Sequence, residues 1–129
     1  MIQKGGHSEH DLQKAIFQWA HLYGHRIKDL EFMFAVPNGG HRHKGTARRL
    51  KAEGVKPGVA DICLPVPRGG FHGLWAECKV GKNQLTPEQR DFLFAMGVLG
   101  YKTTVWRSFE QAIDEIEKYL GGWIRKGGE

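Results

Sequence analysis

The sequence has few cysteines, no long hydrophobic run and fewer acidic than basic residues. Cys63 and Cys78 are its two cysteines in 129 residues, too few for a disulfide framework or a four-cysteine zinc site, so we expect both to be reduced core residues. No window reaches the roughly 18 apolar residues that a membrane span needs, and residues 1–13 contain no apolar stretch of the signal-peptide kind. We therefore expect an intracellular protein with no membrane partner.

The length and composition indicate one folded domain. Hydrophobic residues make up 40% and charged residues 26% of the chain, which excludes a disordered or collagen-like protein. A chain of this length has room for a single core. No internal repeat is present, and we expect one domain over 1–129 with an ordered core at about 8–120 and a glycine-rich tail at 121–129.

Positive charge is concentrated in one segment. Nineteen Lys and Arg residues outnumber fourteen Asp and Glu residues, and residues 41–56 hold six Lys or Arg against Glu53 alone. The rest of the chain is therefore neutral. A neutral body with one basic segment is typical of a protein that binds a phosphate backbone. A surface helix with an accidental excess of positive charge is equally compatible with the charge pattern alone.

The pattern of apolar, capping and turn residues predicts an α/β protein with the order α-β-α-β-β-α-β-α. Its sheet is mixed and flanked by helices. The predicted elements are a helix from Ser8, a buried strand over 32–36 ended by a turn at 37–40, a short basic helix, strands over 59–65 and 74–80 that form a hairpin, a helix opened by Thr86, a strand over 101–106 and a helix capped by Ser108.

The predicted hairpin brings two acidic residues together. If it is symmetric about Gly69, Asp61 lies directly opposite Glu77, and Lys79 shares the face of Glu77. Cross-strand Cβ atoms are about 4.5–5.5 Å apart, so the two carboxylates repel each other. Lys79 could neutralise them in a salt-bridged patch, or a divalent cation could lie between them. Oxygen ligands without thiolates are the set that Mg²⁺ or Mn²⁺ prefers.

These residues stand in a longer ordered pattern. Asp61 followed by Glu77-Cys78-Lys79 resembles the D…(D/E)-x-K signature of restriction-like endonucleases. Glu9 in the first helix, the turn at 37–40, a G-x-x-x-G-x-x-D segment at 54–61 and the Q-L-T-P-E-Q segment at 84–89 accompany it in order. The set resembles the virus-type replication-repair nuclease (VRR-NUC) domain over about 8–106. That resemblance implies a restriction-endonuclease-like core.

The resemblance also implies roles for the central residues. Asp61 and Glu77 would be the principal ligands of a Mg²⁺ or Mn²⁺ ion, with the backbone carbonyl of Cys78 as a third oxygen. Lys79 would orient the attacking water or help to deprotonate it. The family often has proline immediately before the first of these acids, whereas this chain has Ala60, a change that removes no chemical group from the site.

Two further residues take catalytic roles by resemblance. Glu9 matches the acidic residue of the first helix, which completes or supports the metal site. Its place on the apolar stripe of that helix is unusual for an acid, although an acid in a first turn also complements the helix dipole. Gln89 matches a glutamine that reaches toward the same site, and it is also the capping-box partner of Thr86. We expect its side chain to serve one of these roles at a time.

The function implied is a metal-dependent, structure-selective DNA endonuclease. Stand-alone domains of this kind act as homodimers on branched DNA such as Holliday junctions, and replication or repair of a phage or other mobile genome is the natural setting. The alternative is a non-catalytic nucleic-acid-binding module on a nuclease-like fold. In either case the expected DNA contacts are Arg42, His43, Lys44, Arg48, Arg49, Lys51 and Lys56.

Overall fold

The computed structural model describes residues 8–37 and 44–121. The predicted turn residues 38–40, Arg42, His43 and the tail from 122 onward lie outside them. The elements follow the predicted α-β-α-β-β-α-β-α order, with a 3₁₀ turn added before the first strand. They are α1 (Glu9–Tyr23), the 3₁₀ turn (Lys28–Phe32), β1 (Phe34–Ala35), α2 (Lys44–Ala52), β2 (Ile62–Leu64), β3 (Leu74–Cys78), α3 (Pro87–Val98), β4 (Lys102–Trp106) and α4 (Phe109–Tyr119).

The strands form one mixed sheet in the order β1-β2-β3-β4. Strands β1, β2 and β3 pair antiparallel, whereas β3 and β4 pair parallel. Ile62 lies opposite Ala76, and Leu64 lies opposite Leu74. This register is symmetric about Gly69, as the sequence predicts. Continued by one residue past the Ile62–Ala76 pair, it aligns Asp61 with Glu77.

Helices cover both faces of the sheet. The buried residues of α1 and α4 pack with one face of the strands in a single cluster, in which Trp106 is completely buried. On the opposite face, the ring of Phe92 in α3 meets Trp75 of β3 edge to face, with centroids 5.1 Å apart. Trp75 is therefore a packing residue. The α3 helix lies over β3 and β4, so its first turn reaches the end of the β3 strand.

Side-chain caps set where the helices begin. Ser8 and Asp11 form a capping box at α1, and Thr86 and Gln89 form a second one at α3, where Pro87 occupies the first helical position. Ser108 accepts a hydrogen bond from the backbone N–H three residues later at the start of α4. Each cap satisfies backbone N–H groups that lack partners within the helix, typically worth about 1 kcal/mol.

The strand predicted over 32–36 is present, but its predicted length and burial are wrong. It is the two-residue edge strand β1, and Phe34 is 46% exposed. Ile27, Leu30 and Met33 are buried instead. Their spacing of three matches the 3₁₀ turn rather than the alternation of a strand. Phe34 is not covered by α3, because this helix packs over β3 and β4 rather than over β1.

Candidate active site

The two acidic residues of the D…E-x-K motif lie at the same end of neighbouring strands. Asp61 directly precedes β2, and Glu77 is the fourth residue of β3, where it is 3% exposed. The backbone N–H of Cys78 donates a hydrogen bond to Asp61 Oδ2 at 2.9 Å. This bond holds the Asp61 carboxylate over the end of β3 and brings the two acids into one site.

The electrostatics of Glu77 reflect this arrangement. Burial, followed by the negative charge of Asp61, raises the pKa of Glu77 to about 8, whereas the positive charge of Lys79 opposes the shift. Glu77 Oε1 is buried and has no hydrogen-bond partner among the described residues. A buried carboxylate oxygen without a donor is costly, so this site favours either a proton or a cation.

Gln89 fixes the other oxygen of Glu77. Its Nε2 donates to Glu77 Oε2 at 3.0 Å. In the same conformation its Oε1 accepts from the Thr86 N–H at 2.9 Å, and its own N–H donates to Thr86 Oγ1 at 3.1 Å. The expectation that the side chain serves one role at a time is wrong, because the amide oxygen caps the helix while the amide nitrogen binds the carboxylate. The capping box therefore orients Glu77.

Lys79 follows β3 directly and is 9% exposed. Its backbone N–H donates to the Trp106 carbonyl at 3.0 Å, which continues the pairing with β4 past the end of the strand. Alternation along the chain places its side chain on the face of Glu77. The ammonium group is thereby close enough to lower the pKa of the Glu77 carboxyl, against the effect of burial.

Glu9 lies in the first turn of α1 and lines the same cleft as the two acids. Its Oε2 accepts hydrogen bonds from the Val80 N–H at 3.3 Å and from Asn83 Nδ2 at 2.6 Å. Glu9 therefore holds the segment that follows Lys79. Sequence reasoning missed Asn83, because its contact with Glu9 joins residues 74 positions apart and no local pattern links them.

Gly58 explains the glycine-rich segment before Asp61. Its φ is +87°, a conformation that favours glycine. A Cβ atom at this position would lie 2.6 Å from the backbone carbonyl carbon and oxygen of Glu88. The chain thus approaches Asp61 in direct contact with the first turn of α3, and that contact is possible because residue 58 has no side chain.

A cleft of about 990 Å³ joins these residues to the basic segment. Of the predicted DNA-binding residues, Lys51 and Lys56 line the cleft. Lys44, Arg48 and Arg49 are exposed and do not line the cleft. Arg49 Nε lies 3.9 Å from Glu53 Oε2 in a surface ion pair. Arg42 and His43 lie outside the described residues. The positive charges of the basic segment therefore divide into a cleft pair, Lys51 and Lys56, and an outer group, Lys44, Arg48 and Arg49.

The donor set at the cleft fits a divalent cation held by two carboxylates. Within residues 8–37 and 44–121, no three His, Cys, Asp or Glu side chains are grouped to hold a metal ion. Asp61 and Glu77 remain, the latter with its unpartnered oxygen. The N–H of Cys78 faces Asp61, and since the N–H and C=O of one strand residue point to the same edge, its carbonyl faces that edge too.

The thiols take no part in this donor set. Burial raises the pKa of Cys63 to about 11 and that of Cys78 to about 12, where nearby acids add to the shift. Both cysteines are free and buried, as expected. A set of oxygen ligands without thiolate suits Mg²⁺ or Mn²⁺ and disfavours soft metals.

A solved structure described as a VRR_NUC domain protein is similar to this chain. The TM-score is 0.71 at 25% sequence identity, and the match covers 88% of this chain and 90% of that one. No family model and no curated protein matches the sequence. The chain has a VRR-NUC domain fold of the nuclease type, so the predicted fold class is confirmed. None of the described helices is long and apolar enough to cross a bilayer.

Proposed function

We propose that this protein is a Mg²⁺- or Mn²⁺-dependent endodeoxyribonuclease that hydrolyses phosphodiester bonds in branched DNA. One observation carries the proposal: Asp61 and the buried Glu77 meet beside Lys79 in a cleft rimmed by lysines. The nuclease-type fold supports it. A structural salt-bridged cluster would leave no reason for the unpartnered oxygen of Glu77.

Asp61, Glu77 and the carbonyl of Cys78 would hold the cation. When bound, it supplies positive charge that stabilises the negative charge developing on the phosphoryl oxygens. The chain's own contribution is to fix the ligands before DNA binds. The Cys78 N–H holds Asp61, and Gln89 Nε2 holds Glu77, so neither carboxylate has to reorganise during the reaction.

Lys79 acts on the water. Its ammonium group would orient a water molecule for attack on phosphorus, opposite the leaving 3′-oxygen. The water oxygen bonds to phosphorus as the bond to the 3′-oxygen breaks. The attacking water gives one proton to the solvent, and the 3′-oxygen takes one from the solvent, which leaves a 5′-phosphate and a 3′-hydroxyl. No covalent enzyme intermediate forms in this scheme, since the two thiols are buried and their pKa values are raised, so that they stay protonated and are poor nucleophiles.

The basic segment would hold the substrate. Lys51 and Lys56 line the cleft and are placed to contact phosphates next to the scissile one. The outer group, Lys44, Arg48 and Arg49, would contact the backbone farther away, and Arg42 and His43 remain predicted DNA contacts. Contacts with phosphates position DNA without reading its sequence, which suits an enzyme that selects DNA by shape. A homodimer would match the twofold symmetry of a four-way junction and cut both strands.

Cleavage of a panel of labelled junctions, flaps and duplexes tests the proposal. With Mg²⁺ or Mn²⁺ we expect cleavage of branched substrates, no cleavage in EDTA, and recovery when the cation is restored. Asp61→Asn should abolish cleavage while leaving DNA affinity within a few-fold. DNA binding that is indifferent to the cation, with no cleavage of any substrate, would instead identify a non-catalytic binding module.

A further inference from the structure

The turn at 80–83 that follows Lys79 is held from two sides. The Asn83 N–H donates to the Val80 carbonyl at 3.2 Å and closes the turn, and Gly81 has a φ of +58°. From the end of β4, the Arg107 guanidinium donates to the Asn83 carbonyl at 2.9 Å and to the Gly81 carbonyl at 3.4 Å. The backbone carbonyls of the turn are thereby tied to the sheet.

Glu9 provides the second attachment. Its Oε2 accepts from both the Val80 N–H and Asn83 Nδ2. One carboxylate oxygen thus joins α1 to the beginning and the end of the turn. The short distance to Nδ2, 2.6 Å, indicates a strong charge-assisted hydrogen bond. Arg107 and Glu9 act on different groups of the turn, so removal of one leaves the other in place.

The turn fixes two parts of the candidate active site. Before it, the Lys79 backbone is bonded to Trp106 in β4. After it, two residues lead to Thr86 and the capping box through which Gln89 holds Glu77. A turn that moved by an ångström would displace both the lysine and the first turn of α3, and displacements of this size can lower a rate about 100-fold.

We propose that Glu9 is a positioning residue that acts on Lys79 through the 80–83 turn, and that it does not ligate the metal. The inference rests on the proposed function and specifies the role of Glu9 in that site. The contacts of Glu9 support it, because its Oε2 already accepts hydrogen bonds from two donors of the turn, the Val80 N–H and Asn83 Nδ2.

The test compares Glu9→Ala, Glu9→Gln and Asn83→Ala with Asp61→Asn in the full chain. The amide oxygen of glutamine can accept the same two donors, but without charge assistance. Gln18→Ala, at an exposed position of α1, is the control for helix effects. The readouts are hydrogen exchange at the Val80 amide, Mn²⁺ affinity by calorimetry, and kcat on a junction at saturating DNA.

We expect Glu9→Ala and Asn83→Ala each to speed hydrogen exchange at the Val80 amide and to lower kcat by roughly 10- to 100-fold. Because both residues act through one hydrogen bond, the variant that combines the two substitutions should lose no more kcat than the more affected single variant. Glu9→Gln should restore part of both losses. Mn²⁺ affinity should stay within about threefold in all three variants but fall more than about tenfold in Asp61→Asn.

Loss of Mn²⁺ affinity in Glu9→Gln comparable to that in Asp61→Asn would overturn the inference and make Glu9 a ligand. Unchanged exchange at Val80 in Glu9→Ala would overturn it as well, since the turn would then not depend on this carboxylate. Exchange and Mn²⁺ affinity do not require cleavage. If the wild-type protein cuts no DNA, the proposed function fails, while these two readouts still decide the role of Glu9.

Discussion

The Glu77 carboxyl of β3 is buried, and one of its oxygens accepts no hydrogen bond from the part of the chain that the structure describes. Burial, joined by the charge of Asp61, raises the pKa of Glu77 from 4.5 to about 8. The folded protein therefore holds this proton more tightly than the unfolded chain does. Stability from the neutral carboxyl is fully present below about pH 4.5 and is lost as the pH rises through about 8.

We predict that, without divalent cations, the Tm of the wild-type protein decreases as the pH rises from about 6 to about 9. This decrease should exceed that of the Glu77→Gln variant by on the order of 5 °C. The glutamine variant carries no proton to lose. Mg²⁺ should reverse much of the wild-type loss, because it binds the charged form. Scanning calorimetry across this pH range measures both effects.

The control for this prediction is Glu88→Gln, which changes an exposed acid that lines the same cleft and should keep the wild-type slope. Parallel curves for the wild type and Glu77→Gln would mean that Glu77 is already ionised in the folded protein throughout this range. The charge of Asp61 would then be balanced by some group other than a proton on Glu77.

Among the elements, the contact between the segment before β2 and the first turn of α3 depends on a glycine. We predict that Gly58→Ala lowers the free energy of unfolding by roughly 2–4 kcal/mol, since it combines a strained backbone with a steric overlap, and that it reduces cleavage by displacing Asp61. Chemical denaturation and the junction assay measure the two effects.

Gly54→Ala is the matched control. Gly54 also has a positive φ, +100°, but an added Cβ would meet no atom within 4 Å. Its cost should be the backbone strain alone, about 1–2 kcal/mol, with cleavage retained. Equal losses of stability in the two variants would show that the close approach to Glu88 contributes nothing.

The basic segment, α2 and the residues up to Lys56, has lysines that line the cleft and arginines that do not. We predict that Lys51→Ala with Lys56→Ala and Arg48→Ala with Arg49→Ala each reduce the slope of log affinity against log salt by about 2, since each pair loses two phosphate contacts. Only the cleft pair should also lower kcat at saturating DNA, because its lysines line the cavity that contains Glu77.

Salt titrations of binding and single-turnover cleavage separate these effects, and Lys118→Ala in α4, outside the cleft lining, is the control. An unchanged salt slope in both pairs would remove the basic segment from the DNA interface. Equal kcat losses in both would show that the outer arginines also act at the scissile phosphate.

Across the whole molecule, most of the fold could be predicted from local features of the sequence. The capping residues placed the starts of α1, α3 and α4, and the turn about Gly69 set a register that aligns Asp61 with Glu77. Such features depend on neighbours within a few residues. The edge position of β1 and the bond from Glu9 to Asn83 were not predictable, because both depend on how distant elements pack.

The same limit applies to assembly, because a sequence pattern does not show which apolar side chains the fold leaves uncovered. Phe94 and Val98 lie one helical turn apart on α3 and are 73% and 71% exposed. Neither side chain lines the cleft, in contrast to Glu88 and Gln89 in the first turn of the same helix. We propose this surface as the contact of the expected homodimer, since its burial would add apolar area to an interface.

We predict that the protein sediments as a dimer and that Phe94→Ser with Val98→Ser shifts it to a monomer. Leu22→Ser in α1, at a position 64% exposed, should leave it dimeric. Loss of the dimer should convert paired incisions of a four-way junction into single nicks while single-site cleavage continues, because each subunit holds its own Asp61 and Glu77. A wild-type monomer that still makes paired incisions would contradict the twofold match between enzyme and junction.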